Sequence, residues 1–437
     1  MYVNVLGAGL AGCEAAWQIA KRGVRVRLFE MKPVKMTPAH KSKDLCELIC
    51  SNSLKAARVE SAAGLLKEEM RRIGSLLMEC ADRCSVPAGG ALAVDRERFS
   101  AMVTDCIRRE PLIELISCEV TEIPSDSVTV VATGPLTSDA LADRISLLCG
   151  ASLHFFDAAA PIVTAESIDM DCAFTASRYD KGGDDAYINC PLSKDEYESF
   201  HAALVSAERA PRHDVDVQNP KVYEGCMPIE ILAQRGLDTM RFGPMKPVGL
   251  RDPRTGHRPW AVLQLRSENQ DRTMYNLVGF QTNLRFPEQK RVFGMIPALK
   301  NAEFVRYGVM HRNTFLDSPR LLDSSYSMRT RPELFFAGQM TGVEGYMESA
   351  SSGMMAGINA VKRSKGEETV TLPAETMIGA LSRYISDSSV VDFQPMGANL
   401  GILPPLTEQI RDKRMRAAAY AQRSLEALEP FIERHLK

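Results

Sequence analysis

The first thirty residues constrain the fold more than any other stretch. Tyr2–Leu6 is a short apolar run, and Gly7-Ala8-Gly9-Leu10-Ala11-Gly12 follows it. Residues Cys13 to Arg22 then place Ala15, Ala16, Ile19 and Ala20 at helical spacing. Gly23 stands where a C-cap ends a helix, and Val24–Phe29 is a second apolar run closed by Glu30. Strand, helix and strand in that order predict a Rossmann-type unit. Gly-x-Gly-x-x-Gly alone is common, but here it sits in the context that gives it a mechanism. Gly7 permits the tight turn, Gly9 lets backbone approach a pyrophosphate, and Gly12 lets the helix pack closely on the sheet. Ala8, Leu10 and Ala11 fill the same turn, where free N–H groups at a helix start face the phosphates. Glu30, 18 residues after Gly12, suits hydrogen bonds from a ribose. The structural alternative is a glycine turn that holds no ligand.

The length sets how much chain surrounds this unit. At about 150 residues per domain, 437 residues predict roughly three units. Apolar residues at 45% and charged residues at 25% exclude wholesale disorder. The 53 basic and 55 acidic side chains nearly cancel, so a polyanion must be held by a local patch. Eleven cysteines without a single CxxC pair argue against zinc knuckles and against a disulfide framework. They predict a reducing, cytoplasmic setting and no metal. No run of about 18 apolar residues occurs, so no membrane span is expected, and MYVNVLGAGL reads as strand and turn rather than a leader.

Further along, a β-branched run at Val128–Val131 ends in Ala132-Thr133-Gly134-Pro135, a small-residue turn that fits the edge of a dinucleotide site. Residues 158–325 alternate apolar and polar at Ala261–Leu265 and Asn276–Phe280, with frequent Pro and Gly. They predict an inserted, mostly β domain. Leu334–Gly338 then returns to a buried strand, Gln339–Gly345 is a glycine turn, and Glu348–Ala360 is a helix of small residues that can approach a cofactor closely. The expected fold is therefore α/β. A discontinuous dinucleotide domain comprises 1–157 and 326–400, the insertion is 158–325, and a C-terminal helical segment is 401–437. The late Gly338 segment favours a bound flavin over a diffusible nicotinamide.

Three other features await placement. One helix is expected over about 57–80. The loop 31–43 holds Lys32, Lys35, Lys41, Lys43 and His40 without an acid; it reads as a solvated loop, or as an edge that meets phosphate. The C-terminal stretch carries Arg411, Lys413, Arg414, Arg416 and Arg423, which reads as a wet helix face. Two thiols stand out by context. Cys50 precedes Ser51-Asn52-Ser53, where either serine could cap a helix and so lower the thiol's pKa. Cys226 lies in a turn bracketed by Gly225 and Pro228. Cys46, one helical turn before Cys50, is the third candidate; the remaining thiols read as core filler.

Several longer strings carry a resemblance: Gly7–Gly12, Cys50-Ser51-Asn52-Ser53-Leu54, Pro87 to Arg96, Glu224-Gly225-Cys226-Met227-Pro228, Phe242 to Leu250, Asn276 to Leu284, Tyr307 to Thr314 and Ala337-Gly338-Gln339. Together they resemble the TrmFO family of folate- and FAD-dependent tRNA (uracil-5-)-methyltransferases. The resemblance implies FAD on Gly7–Gly12 with Glu30 toward its ribose and Gly338-Gln339 near its other end. It implies NAD(P)H as reductant of the flavin. Methylenetetrahydrofolate would supply a one-carbon unit that passes through the reduced flavin to C5 of a T-loop uridine (uridine 54) in tRNA. Cys226 and Cys50 would be nucleophile and base, in that order or the reverse, and His311 would stack the folate pteridine. Lys41, Lys43, Arg285, Lys290, Arg291 and Arg414 would be candidate phosphate contacts. The same chemistry on ribosomal RNA, or a wobble-uridine modification like that of the sister GidA family, are the alternatives. The C-terminal basic helix matches no string of the family.

Overall fold

In the computed structural model, described residues are 2–37, 39–149, 153–158, 160–180, 187–210, 227–308, 310–390 and 393–436, with 153–158 and 310–314 as backbone only. The central sheet has six strands in the order Ser327–Met328, Arg331–Phe336, Thr129–Val131, Tyr2–Leu6, Arg25–Glu30 and Ile113–Ser117. Every neighbouring pair is parallel except the first. Val3, Val5, Leu6, Val130, Val131, Leu334 and Phe335 are all buried, as a sheet covered on both faces requires. Strands at the two ends of the chain are thus neighbours: Leu334–Phe336 pairs with Thr129–Val131, which pairs with Asn4–Leu6.

Two helices cover the sheet where its strands end. Leu10–Lys21 follows the glycine turn, and Tyr346–Ser364 follows the returning strand. They lie backbone to backbone because the second presents glycines. A Cβ on Gly353 would sit 2.1 Å from the Ala11 carbonyl oxygen, and one on Gly357 would sit 2.6 Å from that of Ala15. The expected helix over 57–80 is two, Ala62–Ile73 and Leu76–Arg83. Gly74 at φ 88° closes the first, and Ser75 caps the second by accepting from the Met78 N–H. Apolar spacing continues across the break, which is why periodicity alone merged them. The C-terminal helix is shorter than expected, Lys413–His435, opened by an Asp412 cap.

The inserted segment forms a second six-stranded sheet, antiparallel throughout, in the order Phe174–Thr175, Ile188–Leu192, Ala261–Ser267, Met274–Leu277, Ile162–Thr164 and Phe304–Arg306. Helices Lys194–Ser206, Ile229–Gln234 and Phe286–Phe293 accompany it. Their side chains share a core with the sheet, in which Phe280 meets Phe293 at 5.4 Å between ring centres. An antiparallel ribbon of Leu153–Ala158 with Met310–Phe315 carries the chain out to this sheet and back. Among the described residues no helix is long and apolar enough to cross a membrane.

One buried carboxylate ties the C-terminal helix to the rest. Glu69 accepts hydrogen bonds from the N–H groups of Met377 (2.6 Å) and Ile378 (2.9 Å) and from the Ser424 hydroxyl (2.6 Å). It caps the helix Met377–Tyr384 and holds Lys413–His435 at once. Burial pushes its carboxyl up to about 7. A carboxyl raised on folding favours the fold while protonated. That contribution is therefore complete below its usual 4.5 and is lost as pH rises toward 7.

Two outcomes follow from this packing. Gly353→Ala forces the two helices apart and should cost about 2 kcal/mol in denaturant melts, whereas Gly90→Ala, with nothing within 4 Å of its added Cβ, should be neutral. Between pH 5 and 8, Glu69→Gln should flatten the decline of the melting temperature; an unchanged slope would rule out Glu69 as its source.

Candidate active site

The glycine turn builds one wall of a cleft. Gly7 has φ 92°, and a Cβ there would lie 2.7 Å from the Ala132 carbonyl oxygen; one on Gly12 would lie 1.8 Å from that of Gly7. Only glycine fits either position. Helix Leu10–Lys21 has no side-chain cap at Gly9, so the N–H groups of its first turn are left for a ligand. Glu30 departs from the expected arrangement in one respect. Its two oxygens already accept the Ala8 N–H (2.8 Å) and the Lys32 N–H (3.0 Å), so the Ala8 amide orients Glu30 rather than a phosphate. Each oxygen keeps a lone pair for a ribose hydroxyl.

This cleft, of about 670 Å³, is lined by Gly7, Ala8, Gly9, Glu30, Cys118 and Leu136 among others. Gly9, His40, Glu47, Thr133 and Leu136 also line a second, of about 910 Å³, so the two are continuous. The second reaches Leu10, Ala11, Gly134, Gly338, Gln339, Cys50 and Tyr346. The structure therefore brings all the expected cofactor residues to one elongated cleft, with Gly12 acting through packing. Its long shape, uncapped helix start and acidic far end fit a dinucleotide. No His, Cys, Asp and Glu cluster suited to a metal occurs among the described residues.

The loop 31–43 is not simply solvated. Lys32 is buried, donates to the Asp44 carbonyl at 2.6 Å and faces Glu47 at 3.7 Å. Glu47 in turn accepts the N–H groups of Lys41 and Ser42, and His40 reaches both clefts. Burial, then the charge of Lys32, pushes the His40 pKa down, so its ring is neutral at pH 7. A charge count could not find this, because Glu47 lies outside the basic run that it folds around.

Cys50 owes nothing to a helix start. The chain after it forms the strand Ser53–Ala56, so neither serine caps a helix. Its partner is Tyr346, the first residue of Tyr346–Ser364. The Tyr346 hydroxyl lies 3.0 Å from the Cys50 sulfur and accepts the N–H groups of Cys50 (2.9 Å) and Ser51 (3.2 Å). Burial and the neighbouring Cys50 push the Tyr346 phenol well above 10, so it stays neutral and can donate. Arg96, half-buried, donates to the carbonyls of Leu48 and Ile49 and pairs with the buried Glu268 at 2.9 Å. Arg266 reaches Asn52 (2.9 Å) and Ser51 (2.8 Å). Arg96 thus pins the backbone before Cys50 and Arg266 the side chains after it, and Arg266 and Glu268 both come from the inserted segment. Cys46 is a different case. It sits at φ 53° outside any helix, and burial pushes its thiol well up, so it is core rather than reagent.

Cys50 stands between cavities. It, Tyr346, Gln339 and Ser349 line both the 910 Å³ cleft and a further one of about 960 Å³, which also meets Lys55, Gln281 and Glu348. Tyr346 and Glu348 were missed in the sequence; their one signal is their place just after the glycine turn. Cys226 lies outside the described residues. Ile229, three positions later, donates its N–H to the Gln281 carbonyl at 2.7 Å. His311 lies on the backbone ribbon opposite Asp157. Of the basic candidates, Lys41, Lys43 and Arg414 are exposed, Arg285 pairs with Glu208 and Arg291 with Glu288. Arg423, from the C-terminal run, is structural: it donates to the Pro404 and Pro405 carbonyls.

Comparison with known proteins agrees with this arrangement. Residues 2–368 match the family described as glucose inhibited division protein A. A protein of Acetivibrio thermocellus named methylenetetrahydrofolate--tRNA-(uracil-5-)-methyltransferase TrmFO is 59% identical over 435 residues, covering 99% of both chains. One of the same name from Brevibacillus brevis is 56% identical, again over 99% of each. In fold, the chain is similar to Aquifex aeolicus GidA in its form II crystal, with a TM-score of 0.72 at 16% identity, over 98% of this chain and 73% of that one. The chain belongs to the glucose inhibited division protein A family, and within it to the TrmFO group.

Proposed function

We propose that this protein is a flavoprotein that methylates C5 of uridine 54 in the T-loop of tRNA, using methylenetetrahydrofolate as one-carbon donor and NAD(P)H as reductant. The observation that carries the reading is the thiol of Cys50, bonded to a neutral phenol, where the dinucleotide cleft meets a second cavity. FAD would lie along Gly7–Gly12, Glu30, Gly134, Gly338 and Gln339. When bound, it supplies the reducing equivalents that turn a methylene into a methyl group.

The chain's own residues must then activate the pyrimidine. C5 of uracil is a poor nucleophile until a thiolate adds at C6, which places the electron pair on C5 and O4. The Cys226 thiolate takes this role. Once C5 carries the new carbon, its proton must leave so that the C5–C6 double bond reforms and the sulfur departs. The Cys50 thiolate receives that proton. The Tyr346 hydroxyl, neutral and 3.0 Å away, stabilises the charged sulfur before the transfer, and the Arg96 charge adds to it. Ile229 supports the pairing of the two thiols, because it joins the segment after Cys226 to Gln281 on the wall of the Cys50 cavity. His311 would stack the folate pteridine. We take 1–157 with 326–400 as the flavin domain, 158–325 as its insertion and 401–437 as a C-terminal segment. A cytoplasmic setting would keep both thiols reduced.

Labelled one-carbon transfer to a tRNA transcript tests the reading. Cys50→Ala and Cys226→Ala should each lose about a thousandfold or more in rate while keeping the flavin absorbance. With 5-fluorouridine-containing tRNA, Cys226→Ala should form no covalent complex and Cys50→Ala should still form one. Full transfer by both variants would sink the mechanism. Tyr346→Phe removes the sulfur's hydrogen-bond donor and should slow alkylation of Cys50 by iodoacetamide at pH 7.5 about tenfold, a value set by one bond to a charged group. An unchanged rate would show that the phenol does not support the thiolate.

A further inference from the structure

Three aromatic rings form a continuous stack on the inserted segment. Tyr307 lies between Phe286, at 4.7 Å and 15° between planes, and Phe304, at 5.1 Å and 9°. The stack does not end in the core. Phe286, the first residue of helix Phe286–Phe293, is 50% exposed, whereas Val292 and Phe293 on the same helix are buried. A large ring held flat at the surface by two parallel rings behind it offers an apolar, planar face to solvent. That surface loses about 25 cal/mol for each Å² it fails to bury, so the exposed face is one that a partner can cover with gain.

The surroundings say which partner. Lys290, one helical turn after Phe286, projects from the same side of the helix and is exposed. Arg285 and Arg291 flank the pair, each exposed and each joined to one carboxylate. On the other side, Tyr307 follows directly on Arg306. That side chain is half-buried at the end of the strand Phe304–Arg306, and its charge acts on Cys50 and Tyr346. Gln281, five residues before Phe286, lines the cavity that holds Cys50, so the stack and that cavity share one short stretch of chain. Aromatic faces beside a line of cations are the means by which proteins hold unpaired nucleotides: the base stacks, and the phosphates meet the charges.

Resting on the reading of this protein as a tRNA methyltransferase, we propose that Phe286, backed by Tyr307 and Phe304, is a stacking platform for an unpaired nucleobase of the substrate RNA near the reacting uridine, with Lys290 contacting its phosphate. A pyrimidine must leave the helical stack for a thiolate to reach C6, and a neighbouring base that has lost its own stacking partner would find the ring of Phe286 in its place.

The test uses the flavin-loaded full chain and an unmodified tRNA transcript, with binding followed at several salt concentrations. Phe286→Leu should weaken RNA binding about tenfold, as loss of one stacked base does, and Phe286→Trp should restore it. Lys290→Gln should reduce the salt dependence by about one counterion. NADPH oxidation without RNA should be the same in all three variants. A Phe286→Leu protein that binds and methylates tRNA like the parent overturns the platform and leaves the ring as a surface for another protein. A parent that oxidises NADPH but never methylates tRNA instead overturns the functional reading. A transcript with 5-iodouridine at its unpaired positions, irradiated with the unsubstituted protein, gives an answer even if Phe286→Leu fails to fold. Crosslinks on the peptides holding Phe286 or Tyr307 support the platform, and their absence at every unpaired position overturns it.

Discussion

The structure depends on how closely two pieces of backbone, the Gly7 turn and helix Tyr346–Ser364, can approach helix Leu10–Lys21. Gly7 turns under its start, Gly12 presses on that turn, and Gly353 and Gly357 bring Tyr346–Ser364 against its side. Protein interiors are packed tightly enough that a single methyl at any of these points must displace backbone. The contact has a functional reach. It sets the uncapped helix start over the cleft, and it sets where Tyr346, at the head of the second helix, can place its hydroxyl.

The second constraint is electrostatic. The Cys50 segment has almost no regular structure between residues 43 and 52, so its shape is imposed from outside. Arg96 holds the carbonyls before the thiol, Arg266 holds Ser51 and Asn52 after it, and Asn52 returns bonds to Val94 and Ser267. Glu268 pairs with Arg96 and lies close enough to Arg266 to interact with it, so a half-buried and a buried cation share one buried anion. Such a group is costly to assemble, and removing one member of a buried pair typically costs about 3–5 kcal/mol. Its return is a fixed thiol and a local excess of positive charge beside it. It also makes the site a property of both sheets, since a displaced insertion would release the loop.

Legibility followed the range of the interactions involved. The glycine fingerprint, Glu30, the strand at Val128–Val131 and the strand and turn around Gly338 were readable because each is a local pattern with a local cause. Their convergence on one cleft followed from the rule that such units form parallel sheets. The helix over 57–80 failed at Gly74, where a left-handed residue interrupts a continuous apolar pattern. The cap proposed at Ser51 or Ser53 failed because the next element is a strand. Lys32 looked solvated because its carboxylate, Glu47, stands 15 residues on, beyond the loop counted.

By itself, then, the sequence determined the α/β class, the glycine turn that walls the cleft and the two thiols worth testing. Those depend on backbone conformations that only certain residues allow and on side-chain chemistry that needs no neighbour. Only the tertiary structure decided that Tyr346 rather than a helix start attends Cys50, that two arginines lock its loop, and that Phe286 faces outward on a stack of rings. Each of those joins residues tens to hundreds of positions apart, and distance along a chain carries no record of which side chains will share a low-dielectric space once the chain is folded.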